Sequence, residues 1–183
     1  MIKVLESERI YYVKVSDELI DNYLIMINDL DVSKFIQKNP RVFSYEEEQK
    51  WVMEQLEKEN NIFSMIEKQT GEFIGNIEIT DIKNNIGELG ISITSKKQNK
   101  HYGTEAMKTI IEYGFNSLKL DGLILNVYSN NPRAIHCYKN LGFMEYGIYK
   151  NTKQIGEEQI DSIQMILYKP KIKRKGDENE LCS

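Results

Sequence analysis

Short runs of hydrophobic residues, separated by turn-forming residues, occur along most of this chain. Their content of β-branched and aromatic residues predicts strands. The predicted strands are Ile10–Val15, Ile62–Glu67, Phe73–Thr80, Gly87–Thr94, Leu123–Val127 and a final pair, Tyr146–Lys150 and Ile160–Tyr168. Turn residues at 70–71 and 84–85 leave short gaps between the three middle strands, so we expect an antiparallel meander there.

Four other segments place apolar residues at helical spacing. They are Ile20–Leu30, a segment that starts with the capping-box pattern Ser44–Glu47, the strongest stripe at Met107–Leu118, and a segment that opens at Asn131-Pro132. Gly142 suits the left-handed residue that ends this last helix. The order is strand, two helices, three strands, helix, strand, helix and two strands. It predicts an α+β fold with a mixed, mostly antiparallel sheet flanked by helices.

The length and composition are those of a single globular domain. At 183 residues, 40% hydrophobic and 28% charged, the chain can bury a substantial core. We assign residues 1–170 to the domain and residues 171–183, which are basic and then acidic, to a flexible charged tail. The net charge of −4 argues against nucleic acid as the main partner, because phosphate backbones require clustered Lys and Arg.

The cysteines and the N-terminus favour an ordinary cytoplasmic location. Cys137 and Cys182 show neither a disulfide framework nor metal-ligand spacing, so no metal is expected. The N-terminus is charged and lacks the apolar core of a signal peptide. No apolar run reaches the length of a membrane span, so we expect no membrane partner.

The most informative segment is Gln98–Ala106, Q-N-K-H-Y-G-T-E-A, between a predicted strand and a predicted helix. A tight loop before a helix leaves backbone N–H groups unpaired, and the helix dipole adds positive potential. Such a loop binds anions, and a phosphate or pyrophosphate is the expected ligand. A glycine-containing loop is a modest signal by itself, and a structural turn is an equal alternative.

A second pattern is more specific. From Asn131 to Phe143 the sequence reads N-P-R-A-I-H-C-Y-K-N-L-G-F, directly after a predicted buried strand. Together with Gln98, Gly103 and the run 104–106, it resembles the GNAT superfamily of acetyl-CoA-dependent N-acetyltransferases. The resemblance is strongest to the branch of ribosomal-protein N-terminal and spermidine acetyltransferases, and it covers residues 9–169.

The resemblance implies a single-domain GNAT (acyl-CoA N-acyltransferase) fold with acetyl-CoA as the acetyl donor. The strand edge Ile91, Ser92 and Ile93 would pair with the pantetheine arm, which Asn131 would contact. Tyr138 would lie near the thioester sulfur as general acid. The backbone N–H groups that would hold the pyrophosphate belong to Gln98, Asn99, Lys100, His101, Tyr102, Gly103 and Thr104.

His101 departs from the family pattern, which usually has glycine there so that the backbone can approach the pyrophosphate. Histidine tolerates positive φ better than bulky residues do, although imperfectly. We expect His101 to keep the shape of the loop and to point its ring outward, toward a phosphate. The alternative is a CoA-binding regulatory or non-catalytic module with the same fold.

The acceptor amine must lose a proton before it attacks directly in a ternary complex. Glu78, Glu88 and Asp161 are the candidate bases, and Glu88 is taken as the catalytic one beside Tyr138. The sequence leaves the acceptor open between a protein N-terminus, a polyamine, an aminoglycoside and an amino sugar. A homodimer through the late strands is left open as well.

Overall fold

The hydrophobic runs that predict strands all lie in one sheet. The structure is a computed structural model, and it describes residues 1–170. In chain order these residues form β1 (Lys3–Glu6), β2 (Ile10–Lys14), α1 (Ile20–Asn28), α2 (Leu30–Ile36), α3 (Tyr45–Leu56), β3 (Ile62–Glu67), β4 (Phe73–Lys83), β5 (Ile86–Ile93), α4 (Tyr102–Asn116), β6 (Gly122–Tyr128), α5 (Pro132–Asn140), β7 (Met144–Ile155) and β8 (Glu158–Tyr168). Short 3-10 helices at Asp17–Leu19 and Ser95–Lys97 precede α1 and α4.

The strand order in the sheet is β1-β2-β3-β4-β5-β6-β8-β7. All neighbouring strands in residues 1–170 are antiparallel except β5 and β6, which are parallel. That parallel pairing joins only Ile86–Glu88 to Gly122–Ile124. Beyond it the two strands lose their mutual pairing, so a gap opens between Leu89–Ile93 and Leu125–Tyr128.

Helices cover both faces of the sheet. Successive strand residues point to opposite faces, and the neighbours Tyr12 and Val13 accordingly join different buried clusters. The cluster of Tyr12 includes Met107 of α4. The cluster of Val13 includes Tyr23 of α1 and Val52 of α3. The strands therefore carry hydrophobic residues on both faces, because helices bury both sides of the sheet.

The predicted helix signals are confirmed. The Ser44 hydroxyl accepts from Glu47 N at 3.3 Å while Ser44 N donates to Glu47 Oε2 at 2.9 Å, which completes the capping box. Asn131 Oδ1 accepts from Ala134 N at 3.2 Å at the start of α5. Gly142 follows α5 with φ of +94°. The predicted mixed, mostly antiparallel sheet is confirmed too.

Two predicted elements were wrong in detail. The single helix expected over Ile20–Leu30 is two helices, because the Asp29 side chain accepts from Asp31 N at 2.9 Å and begins α2. The strand β1 was missed, since Lys3–Glu6 is a short, mostly exposed edge strand without an alternating pattern. The predicted tail, 171–183, lies outside the described residues. Of the helices in residues 1–170, none combines the length and apolar composition needed to cross a bilayer.

Candidate active site

The gap between β5 and β6 is flanked by two cavities that meet at its edge. One, which we call the loop cavity, has a volume of about 530 Å³ and lies between the Gln98–Thr104 loop and α5. The other, the acidic cavity, has a volume of about 630 Å³ and lies under α1–α3. Ile91, Ser92, Asn131 and Tyr138 line both cavities. A ligand that extends along the gap would therefore reach from one cavity into the other.

The loop cavity is lined by backbone donors without partners. The amide groups of Lys97, Gln98 and Glu105 donate to Thr94, Ser95 and His101 carbonyls, respectively. Between them, the N–H groups of residues 99–104 find no acceptor within residues 1–170. These donors lie at the N-terminus of α4, where the helix dipole favours negative charge. The arrangement fits an anion with several oxygens, such as a pyrophosphate.

Two residues of the loop adopt the left-handed conformation. His101 has φ of +64° and ψ of +7°, and Asn99 has φ of +59°. Histidine thus takes the backbone conformation that glycine would take most easily. The His101 side chain is exposed and lines the loop cavity. The exposure of the His101 side chain agrees with the expected outward ring.

The loop conformation makes a prediction about stability. His101→Val should lower the free energy of unfolding by about 1–2 kcal/mol, because a β-branched residue is strained at positive φ. His101→Gly should not lower it by more than about 1 kcal/mol, because relief of strain offsets the greater freedom of the unfolded chain. Urea unfolding of the three proteins measures both changes. Equal stabilities of the valine and glycine variants would contradict the left-handed conformation.

An arginine on α5 fixes the side chains of the loop. Arg133 donates to Asn99 Oδ1 at 2.9 Å and to Gln98 Oε1 at 2.8 Å. Gln98 Nε2 in turn donates to Ile93 O at 3.0 Å, at the end of β5. The first residue of the loop pattern is therefore bound to the strand on one side and to α5 on the other.

Tyr138 lies where the two cavities meet. Its ring packs against Phe143 with the centroids 6.0 Å apart. Its hydroxyl makes no hydrogen bond within residues 1–170, so the O–H is free to donate to a ligand. Burial raises the pKa of Tyr138 to about 12. The phenol therefore stays protonated through the neutral range, as a general acid must.

The acidic cavity carries more negative than positive charge. Four carboxylates and one cation line it. Arg41 is that cation, and its Nη1 contacts both carboxylate oxygens of Glu47, at 2.9 and 3.1 Å. The remaining carboxylates belong to Glu48, Glu78 and Glu88, and none forms an ion pair within residues 1–170. The cavity is therefore suited to a cationic ligand.

Two of these carboxylates are held in unfavourable surroundings. Glu48 is only 6% exposed, makes no side-chain hydrogen bond in the described part of the chain, and has a pKa raised by burial. The pKa of Glu78 is raised by burial, and further by the charges of Glu88 and Asp81. Uncompensated buried carboxylates are unfavourable for folding, so their presence in one cavity indicates a functional role.

The wall of the acidic cavity leaves space for the Glu78 side chain because the residue opposite it is a glycine. Gly90 pairs with Glu78 across β4 and β5, and a Cβ on Gly90 would lie 2.6 Å from Glu78 Oε1. Glu88 accepts from Asn126 Nδ2 at 2.8 Å, which fixes its carboxylate across the gap. Asn76 Oδ1 is buried and accepts no hydrogen bond from residues 1–170. A ligand amine would meet several acceptors here.

The structure brings most of the predicted site residues together. Glu88 lines the acidic cavity, and Lys100 lines neither cavity, although its carbonyl accepts from Arg9 Nη1. Asp161 lies elsewhere, bound to Lys150 Nζ at 2.7 Å and to Asn151 N at 3.0 Å. The predicted residues that line the loop cavity are Ile91, Ser92, Ile93, Gln98, Asn99, His101, Tyr102, Gly103, Thr104, Asn131 and Tyr138.

Sequence reasoning missed Glu48 and Gly90. Glu48 belongs to the acidic run Glu46–Glu48, yet residues 100° apart around a helix face different directions. Glu48 lies four residues before Val52, so the two side chains share a face of α3, and Val52 is fully buried. This spacing is the sequence signal that could have identified Glu48. Gly90 has no sequence signal, because the need for a small residue arises from Glu78 on another strand.

Comparison with known proteins decides the family. A family model for the acetyltransferase (GNAT) domain matches residues 9–144. The chain belongs to the GNAT family. An uncharacterised N-acetyltransferase, p20 of Bacillus licheniformis, is 30% identical over 116 residues, which are 62% of this chain and 65% of that protein. Spermidine N(1)-acetyltransferase of Escherichia coli K12 is 33% identical over 100 residues, 54% of each chain. The matches thus span about half to two thirds of these relatives.

Solved structures confirm the GNAT fold. Spermidine N-acetyltransferase from Vibrio cholerae, in complex with CoA and spermine, superimposes with a TM-score of 0.80 at 20% identity, covering 88% of this chain and 96% of that one. A GNAT-family acetyltransferase from Bacillus anthracis gives 0.78 at 22% identity, covering 92% and 98%. The predicted family and fold are therefore confirmed. Among residues 1–170, no cluster of His, Cys, Asp and Glu side chains could hold a metal ion.

Proposed function

We propose that this GNAT domain transfers an acetyl group from acetyl-CoA to a primary amine that carries more than one positive charge. The observation that carries the proposal is the position of Tyr138, where a cavity lined by free backbone donors meets a cavity lined by unpaired carboxylates. The first cavity has the chemistry to bind a pyrophosphate, and the second has the chemistry to bind ammonium groups.

The residues of the loop cavity fit the donor. The free N–H groups of residues 99–104 would bind the pyrophosphate, and the unpaired edge of β5 at Ile91–Ile93 would bind the extended arm. Acetyl-CoA supplies an activated acyl group whose leaving group is a thiolate. Tyr138, with its free hydroxyl, would donate a proton to that sulfur. Asn131, which lines both cavities, would contact the arm.

The general base is best supplied by the Glu78–Glu88 pair. Both carboxylates line the acidic cavity, and Asp161 does not. A base works best when its pKa lies near the working pH, and burial moves the pKa of Glu78 upward. Glu88, held by Asn126, would maintain the negative charge beside Glu78. Glu78 would take a proton from the ammonium group, and the neutral nitrogen would then attack the acetyl carbon.

The acceptor is best described as a polyamine. After Arg41 and Glu47 neutralise each other, three carboxylates remain for the ligand, and the partly exposed Trp51 adds aromatic surface to the same cavity. Aromatic faces and carboxylates together favour ammonium groups separated by methylene chains. The relatives named as spermidine acetyltransferases support this class. A free amino acid fits less well, because its carboxylate would need a cation other than Arg41.

A thiol-release assay with acetyl-CoA tests the proposal. We expect spermidine to give the fastest release in a panel that also holds an N-terminal peptide, an aminoglycoside, an amino sugar and a neutral L-amino acid. Equal or faster release with the amino acid would contradict the polyamine assignment. CoA binding by calorimetry without thiol release from any amine would favour the regulatory alternative. A cytoplasmic location and a homodimer stay predictions.

A substitution of Glu48 tests the proposed binding of a polyamine in the acidic cavity. Glu48→Gln should raise KM for spermidine about tenfold, because it removes a desolvated charge that meets a distal ammonium group. KM for acetyl-CoA should not change. The matched control is Glu46→Gln, which removes an exposed carboxylate two residues away on the same helix. Steady-state kinetics with both substrates varied measures the effect. An equal rise of KM in the two variants would contradict a specific role for Glu48.

A further inference from the structure

Side chains outside the acidic cavity form ion pairs and hydrogen bonds with the Gln98–Thr104 loop, which we call the anion-binding loop, and with the residues beside it. Lys97, directly before the loop, is 8% exposed, and its Nζ lies 2.7 Å from Glu67 Oε2 and also contacts Glu72. Tyr102, the first residue of α4, is 5% exposed and donates its O–H to the other oxygen of Glu67. Glu67 thus binds the residue directly before the loop and a residue within it.

A second set of contacts reinforces the first. Arg9 Nε donates to Glu105 Oε2 at 2.7 Å, and Arg9 Nη1 donates to Lys100 O at 3.1 Å. The Arg9 guanidinium also stacks on the Tyr102 ring, 4.4 Å from its centroid. Ser7 Oγ donates to Glu105 Oε1 at 2.7 Å. The loop is therefore attached to the ends of β2 and β3 at both of its termini and at Lys100.

The attachment has a physical reason. The left-handed residues Asn99 and His101 are each strained by about 1–3 kcal/mol relative to an ordinary conformation. Such strain persists only where surrounding contacts determine the conformation. Without those contacts the loop would relax, and the N–H groups of residues 99–104 would no longer point to one site.

The charges of this network are paired with one another, although Lys97 itself lines the loop cavity. Lys97 next to an anion site would be expected to bind the anion, yet its ammonium group is neutralised by Glu67 and Glu72. The hydrogen bond from Lys97, with those from Thr70 and Tyr102, lowers the pKa of Glu67 to about 2. Glu67 is therefore ionised at every pH at which the enzyme would work, so its ion pair with Lys97 persists throughout that range.

We infer that Glu67 is a positioning residue for the acetyl donor: through Lys97 and Tyr102 it holds the 99–104 backbone in its anion-binding conformation before the donor arrives. The inference rests on the proposed binding of acetyl-CoA. It assigns Glu67 to donor affinity and not to the chemical step, because Glu67 lines neither the loop cavity nor the acidic cavity.

Glu67→Gln tests this role through the two kinetic constants. KM for acetyl-CoA should rise about tenfold, while kcat at saturating acetyl-CoA should stay within about twofold of wild type. With S-acetylpantetheine, a donor that lacks the pyrophosphate, KM should be the same for the variant and wild type. The matched control is Glu6→Gln, which removes an exposed carboxylate that lies 2.9 Å from Lys68 Nζ. This control should leave both donors unaffected.

A second variant keeps the test decisive if Glu67→Gln folds poorly. Tyr102→Phe removes only the hydroxyl that reaches Glu67, and it should raise KM for acetyl-CoA about threefold with no change for S-acetylpantetheine. Unchanged KM for acetyl-CoA in a folded variant, or an equal rise with both donors, would overturn the inference.

Calorimetry on the wild-type protein separates the two proposals. A wild type that does not bind CoA refutes the proposed function, whereas wild-type binding with an unaffected variant refutes only the role of Glu67.

Discussion

Glu78→Gln should lower kcat/KM for the amine about 100-fold, because a positioned general base contributes about 10²–10⁴ to the rate. The same change should abolish the fall of kcat/KM on the acidic side of its pH profile. As the proposed base, Glu78 would act when deprotonated, so in the wild type the rate should rise as the pH rises through its pKa. Burial raises that pKa above 4.5, and the acidic limb must therefore lie above pH 4.5.

Glu88→Gln is the informative companion to this variant. Its charge contributes to the raised pKa of Glu78, so its removal should shift the acidic limb to lower pH while leaving the limb present. The loss of rate should be smaller than for Glu78→Gln. If Glu88→Gln abolishes the limb and Glu78→Gln keeps it, then Glu88 is the base. Both profiles come from initial rates of thiol release.

Tyr138→Phe should lower kcat about 10–100-fold, with KM for both substrates changed less than threefold. The phenol would protonate the departing thiolate, and phenylalanine fills the same space without a proton to give. Because the pKa of Tyr138 is about 12, its deprotonation cannot cause a loss of rate between pH 7 and pH 10. Tyr149→Phe, on the exposed face of β7, is the matched control. Unchanged turnover of the Tyr138 variant across this pH range would remove Tyr138 from the role of general acid.

Local signals in the sequence predicted the parts of the site that depend on neighbouring residues. The capping box at Ser44, the Asn131 cap and the loop before α4 each follow from a few adjacent residues, and each is found in the structure. The break between α1 and α2 was also local, but Asp29 was overlooked because Leu30 continues the apolar stripe. Predictions from spacing therefore failed where a capping side chain interrupts a regular pattern.

Features that depend on distant residues could not be predicted in the same way. The gap arises because β5 pairs with β6 only at Ile86–Glu88, and no local pattern encodes where a parallel pairing ends. The contact of Glu67 with Tyr102 joins residues 35 apart in sequence. The burial of Glu48 depends on the packing of α3 over the sheet. These long-range contacts determine the charge of the acidic cavity and the side-chain partners of the loop before α4, and short sequence motifs do not encode them.

We propose that this protein binds acetyl-CoA in the loop cavity and acetylates a polyamine in the acidic cavity. Mass spectrometry of the products formed from acetyl-CoA and spermidine tests it most directly. We expect monoacetylated spermidine and free CoA in equal amounts, with product formation strongly reduced in Tyr138→Phe and Glu78→Gln. Release of CoA without acetylated amine, or equal product from wild type and both variants, would contradict it.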